Sequence, residues 1–98
     1  MAASDLPELD ATIHGPIRLA IFSILTGADE AEFTYLRDRI GTTDGNLSVH
    51  LSKLEQAGFV KVQRQFVGRK PCSVYRLTER GRRAFGEYVR NLKALLNL

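Results

Sequence analysis

Apolar residues recur along this chain first at helical spacing, then in alternation, then at helical spacing again. Leu6, Leu9 and Ile13 fall four or fewer residues apart, with Pro7 suited to a first helical turn. Gly15-Pro16 interrupts that pattern. Pro16 can open a new helix with the stripe Ile17, Ala20, Ile21, Ile24 and Leu25, and Gly27 sits where a C-terminal glycine would. Ala28 to Glu32 reads as an acidic loop. Thr34 suits the cap of a short helix in which Phe33, Leu36 and Ile40 face inward, and Gly41 can take the left-handed conformation that ends it. Thr42 or Thr43 caps the next helix, 43–57, whose core stripe is Leu47, Leu51 and Leu54. Gly58 ends it, and Phe59 follows where an apolar contact often locks such an end.

From residue 60 the period changes to two. Val60, Val62, Arg64 and Phe66 alternate with Lys61, Gln63 and Gln65, and Ser73 to Leu77 is a second β-prone run. Between them, 67–71 reads as a turn with Arg69 and Lys70 at its tip. Thr78 suits the cap of a last helix with the stripe Phe85, Tyr88, Val89, Leu92, Leu95 and Leu96. Two helices joined by a short Gly-containing turn, followed by a hairpin, predict an α+β fold that is mainly α. It is a winged helix-turn-helix with a two- or three-stranded β-wing and a C-terminal dimerisation helix. The expected organisation is one domain, 1–98. In it, 34–57 is the helix-turn-helix, 60–77 the wing, and about 6–26 and 78–96 the dimerisation helices.

Composition narrows the class. The 98 residues are 44% hydrophobic and 26% charged, close to a globular average, which excludes collagen-like and broadly disordered chains. No apolar run approaches the roughly 18–20 residues that span a bilayer. The start, Met1-Ala2-Ala3-Ser4-Asp5, lacks the basic and apolar regions of a signal peptide. One cysteine makes no internal disulfide, so the expected location is the cytoplasm.

The net charge of +3 is a near-cancellation. Residues 1–52 hold three cations against eight acids, a balance of −5. Residues 53–83 hold nine against two, a balance of +7. That middle segment attracts a polyanion, although a solvated basic face reads the same way.

With Leu47, Leu51 and Leu54 buried, the opposite side of helix 43–57 carries Gly45, Asn46, Val49, Ser52, Lys53 and Gln56, with Ser48 and His50 flanking the stripe. Small residues let a helix N-terminus approach base edges in a major groove. Asn46 suits an adenine edge, Val49 a thymine methyl, and Lys53 a phosphate. The candidate DNA-contacting set is Thr43, Asp44, Gly45, Asn46, Ser48, Val49, His50 and Lys53, with Arg64 on the first strand and Gly68, Arg69 and Lys70 at the hairpin tip. The plainer reading of Asn46 is a polar residue of a first helical turn.

Leu6, Leu9 and Ile13, with Phe85, Tyr88, Val89, Leu92, Leu95 and Leu96, form two terminal apolar stripes with no evident core to cover them. They are the expected homodimer interface. A two-fold dimer presents two reading helices roughly 34 Å apart and matches a pseudo-palindromic double-stranded operator.

His14-Gly-Pro-Ile-Arg18-Leu-Ala, the run from Thr43 to Val60 with its His-Leu-x-x-Leu-Glu-x-x-Gly-x-Val pattern, Gly68-Arg-Lys-Pro71 and Tyr75-Arg-Leu-Thr-Glu-Arg-Gly81 resemble prokaryotic winged-helix transcriptional regulators of the MarR/ArsR type. The resemblance runs from about Leu9 to Leu95. It implies a homodimer on operator DNA, with helix 43–57 in the major groove and the 68–71 wing on the flanking backbone. Pro16 and Arg18 match the Pro-x-Arg of many members.

Metal-sensing relatives carry cysteine pairs or His/Asp/Glu sets. Here only Cys72, His14 and His50 are present, far apart in sequence, so no metal and no cofactor is expected. Cys72 reads as a strand residue. A redox role for it requires a thiol pKa depressed by Arg69 or Lys70. Asn46-Leu47-Ser48 matches a glycosylation acceptor only by chance, inside a helix. No phosphate loop, His-Glu-x-x-His or nucleophile elbow is present, so no enzyme is expected. The alternatives are a winged-helix protein-interaction module without DNA binding, and an effector held between the first and last helices near Phe85 or Tyr88.

Overall fold

A computed structural model of the chain describes residues 7–97. Its element order is α1 (Pro16–Gly27), β1 (Ala31–Glu32), α2 (Phe33–Ile40), α3 (Asp44–Gln56), β2 (Val60–Val67), β3 (Lys70–Leu77) and α4 (Glu79–Leu95). The four helices and the antiparallel sheet, ordered β1-β3-β2, form a winged helix. Among the described residues no helix is long and apolar enough to cross a membrane.

Among the described residues the first expected helix is reduced to one turn. Leu6 lies outside the described residues, Leu9 precedes the turn, and Ile13 sits in it, closed by the Asp10 carbonyl oxygen, which accepts from the Ile13 and His14 amides at 3.0 and 2.8 Å. The Asp10 side chain accepts from the Thr12 amide at 2.9 Å. Asp10 thus caps a single helical turn that begins after Leu9. Gly15, at φ 137, then breaks the path before Pro16 starts α1 at its favoured first position.

The caps decide the other boundaries. Thr43 caps α3, its hydroxyl accepting from the Asn46 amide at 3.2 Å. Gly41 ends α2 in the left-handed conformation. At the end of α3 the Phe59 amide donates to the Leu54 carbonyl and the Gly58 amide to that of Glu55, the paired bonds of a Schellman end. Thr34 lies inside α2, whose cap position is Glu32. The expected acidic loop also contains a strand: Ala31 and Glu32 pair with Tyr75 and Val74, and Ala31 is buried in the core.

β2 and β3 pair from Val60↔Leu77 to Val67↔Lys70, leaving Gly68-Arg69 as a two-residue turn. Lys70 and Pro71 are therefore strand residues, not turn. Gly68 at φ 66 supplies the left-handed first position that such a turn favours. Phe66 shares the alternation of Val60 and Val62 but is 73% exposed, because the hairpin has by then left the body of the protein.

The core is Ile13, Ile21, Phe22, Leu25, Leu36, Leu47, Leu51 and Leu54, all essentially enclosed. Phe85 stacks on Phe22 at 5.1 Å and on Tyr88 at 6.4 Å, which seats α4. The radius of gyration is 15.0 Å and the extents are 58 × 25 × 23 Å. A compact chain of this length has about 13 Å, so the molecule is elongated.

Thr78 joins α4 to the end of α3. Its hydroxyl accepts from the Gly81 amide at 2.9 Å and donates to the Gly58 carbonyl at 2.6 Å. Thr78→Ala removes a cap and leaves a half-buried carbonyl without its donor. It is expected to cost about 1–2 kcal/mol, read as a Tm fall of several degrees at fixed concentration.

Candidate nucleic-acid interface

The exposed side of α3 is built from its N-terminus. Asp44 does not point free: its carboxylate accepts from Arg37 Nη1 of α2 at 2.8 Å. Asn46 turns its amide back onto the Thr42 hydroxyl at 3.0 Å, an extension of the Thr43 cap. Both side chains are exposed, and each is already hydrogen-bonded within the chain. Gly45 is exposed, and a methyl built on it meets nothing within 4 Å. Val49 is 54% exposed, beside exposed Ser48, Ser52 and Lys53. His50 is half-buried, and its Nδ1 accepts from Arg18 Nε of α1 at 3.0 Å.

The cations divide into two groups. Arg37 is held by Asp38 and Asp44, and Arg76 by Glu30. Among the described residues no carboxylate lies within ion-pair reach of Lys53, Arg64, Arg69 or Lys70, and all four are exposed. Exposed, unpaired cations attract phosphates without first giving up an ion pair. Phe66 and Val67 stand exposed beside them at the hairpin tip. Alternation along β2 identified the face of Phe66 but not how far the sheet extends beyond the body.

Cys72 is half-buried. Burial pushes its thiol pKa up, the Glu32 carboxylate beside it pushes the same way, and Lys70 pulls back. The depressed pKa that a redox role requires is absent. A cleft of about 420 Å³ lies at this edge, between Phe33 and Pro71. A second, of about 460 Å³, separates the turn around Asp10 from α4. Tyr88 lines that second cleft and Phe85 does not. Among the described residues no group of three or more His, Cys, Asp or Glu is placed to hold a metal ion.

Two residues expected at a partner interface have no surface to offer one. Ile13 is fully enclosed by its own chain. Tyr88 is 2% exposed, its hydroxyl 2.7 Å from His14 Nδ1. Both complete the core instead. Leu9, Phe85, Val89 and Leu92 are half-buried against that core. Leu95 and Leu96, at the end of α4, are exposed.

Similarity to known proteins agrees with this geometry. The chain is 37% identical over 73 residues to the uncharacterized protein MJ0432 of Methanocaldococcus jannaschii, covering 74% of this chain and 79% of that one. The structure of a transcriptional regulator homologue from Pyrococcus horikoshii OT3 superposes with a TM-score of 0.82 at 29% identity, over 88% of this chain and 85% of that one. The M. tuberculosis transcriptional regulator MOSR, solved in complex with DNA, shares the fold at a TM-score of 0.70 and 20% identity, over 87% of this chain and 60% of that one. These neighbours agree with the resemblance to winged-helix transcriptional regulators. Residues 17–96 match the family described as winged helix DNA-binding domain, and the chain belongs to that family.

Proposed function

We propose that this protein is a homodimeric, sequence-specific regulator of transcription. It reads a pseudo-palindromic operator with α3 in the major groove and sets the wing, 67–71, on the flanking backbone or minor groove. Thr43, Asp44, Gly45, Asn46, Ser48 and Val49 lie at or near the bases, with Asn46 released from Thr42 on contact. Lys53, Arg64, Gly68, Arg69 and Lys70 meet phosphates. Leu9 and the outer residues of α4 (Val89, Leu92, Leu95 and Leu96) form the two-fold contact.

The observation that carries this reading is Gly45. Glycine in a helical turn costs about 0.5 kcal/mol or more relative to alanine. Nothing among the described residues explains it, since open space surrounds the missing methyl. Close approach of an external surface does. Gly45→Ala is therefore expected to move two properties in opposite directions. Tm rises by a few degrees, while affinity for a duplex recovered by selection from a random pool falls about tenfold. Equal affinity in the two proteins defeats the groove assignment. A chain that is monomeric by light scattering and not retained on heparin favours a protein-binding module instead.

A further inference from the structure

Arg18 is a cation near α3 that does not face solvent freely. It lies in the first turn of α1, half-buried, and its guanidinium is engaged twice. Nε donates to His50 Nδ1 at 3.0 Å, and Nη1 donates to the Thr12 carbonyl oxygen at 3.0 Å. One side chain thus fastens α3 to the turn that precedes α1. That turn is tied in its own right to α4. His14 Nδ1 meets the Tyr88 hydroxyl at 2.7 Å, and the Asn91 amide donates to the Glu8 carbonyl at 3.3 Å. A line of polar contacts runs from α4 through the turn and Arg18 to the middle of α3.

This geometry fixes the state of one imidazole. A guanidinium only donates, so His50 Nδ1 must carry no proton, and the neutral ring holds its proton on Nε2. Protonating Nδ1 removes the acceptor and sets an imidazolium against a guanidinium. The charged groups facing His50 are Arg18 from α1 and Lys53 on its own helix, both cationic. Among the described residues no carboxylate bonds to it. Burial first, then Arg18 and Lys53, hold its pKa below the ordinary 6.5. The unfolded chain therefore binds this proton more tightly than the folded one. The stability His50 contributes is present above about pH 6.5 and is lost as the pH falls through the lower folded value.

We propose that Arg18 is a positioning residue for DNA recognition, and that its bond to His50 makes DNA binding depend on a neutral imidazole. The proposal rests on the DNA-reading role of α3. Without the tie, α3 is still held by Leu47, Leu51 and Leu54, so the fold persists. What loosens is the angle at which Gly45 and Val49 are presented.

Two measurements test it. In the free protein, NMR titration of His50 is compared between the wild type and Arg18→Met, with far-UV circular dichroism as the check on folding. The wild-type ring titrates below the ordinary range and the variant ring moves back toward it. Affinity for a duplex recovered by selection is then followed from about pH 8 to about pH 5.5, the range in which histidine titrates. Wild-type affinity falls about tenfold on acidification. His50→Gln, which keeps a neutral acceptor, shows a flatter profile, and folded Arg18→Met binds about tenfold more weakly at pH 8. An unchanged His50 titration in Arg18→Met overturns the tie. A His50-dependent rise in affinity on acidification makes His50 a direct phosphate contact and overturns the dependence on a neutral ring. A wild type that binds no duplex at any pH defeats the DNA-reading role itself, and the titration arm still decides the Arg18–His50 bond.

Discussion

Gly81→Ala is expected to destabilise the fold by about 3 kcal/mol, lowering Tm by more than about 10 °C. The first turn of α4 packs on the backbone of Phe59. A methyl on Gly81 would land on the Phe59 carbonyl oxygen, 2.9 Å from its carbon and 3.1 Å from its Cα. Backbone atoms do not swing aside as a flexible side chain does. This carbonyl is further pinned, because its oxygen accepts from the Thr78 amide at 3.0 Å. Relief therefore requires α4 to lift or the Thr78 cap to open, and either exposes Phe59 and Phe85. A domain with about 5–15 kcal/mol in total keeps little margin after such a loss. Gly86→Ala is the matched control. In the same helix its methyl meets only the end of Arg90, at 3.7 Å, so the ordinary helical preference for alanine applies and Tm should rise. Thermal unfolding of both variants at equal protein concentration checks the pair. Equal Tm values would mean that α4 does not sit on Phe59 as described.

The second large effect is expected at the wing. Arg69→Ala combined with Lys70→Ala should reduce the slope of log affinity against log salt by about 2, since each phosphate contact contributes about 0.9. Affinity near physiological salt should fall roughly 10- to 100-fold, for operator and unrelated duplex alike, because phosphate contacts carry no base information. Unfolding should hardly change. Both side chains are exposed at the hairpin tip, and among the described residues neither is in an ion pair. Arg76→Ala is the contrasting variant: its charge is already engaged by Glu30, so the salt slope should stay close to the wild-type value. Fluorescence anisotropy across a salt series separates these outcomes. An unchanged slope in the double variant removes the wing from the interface.

Local chemistry made much of this fold legible. Thr43 and Thr78 cap the helices their positions suggest, and Gly41 and Gly58 end α2 and α3 in left-handed conformations. Those assignments needed only neighbours in sequence. The failures all needed something farther away, or a competing local bond. Asp10 caps a turn that begins only after Leu9, and Gly15 ahead of Pro16 stops it after Ile13. Ala31 and Glu32 become a strand because β3, more than 40 residues on, offers them an edge. Asp44 and Asn46 are exposed on α3 as their spacing from the Leu47 stripe suggests, but their side chains are occupied by Arg37 and Thr42. The Arg18–His50 bond had no local signal, since its partners are 32 positions apart and belong to different helices. Periodicity also could not separate a stripe that meets a partner from one that completes its own core, which is why Ile13 and Tyr88 fell on the wrong side of that division.

The 58 × 25 × 23 Å outline has a practical consequence for weighing the particle in solution. A body more than twice as long as it is wide meets more friction than a sphere of equal mass. It diffuses slowly, tumbles unevenly about its axes, and leaves a sizing column early. A single chain of 11.0 kDa will thus elute toward the volume expected of a heavier sphere. A column calibrated with globular standards will therefore overstate the mass of one copy. Stoichiometry, and with it every statement about two-fold reading of DNA, has to come from a mass that does not depend on shape, such as light scattering or sedimentation equilibrium.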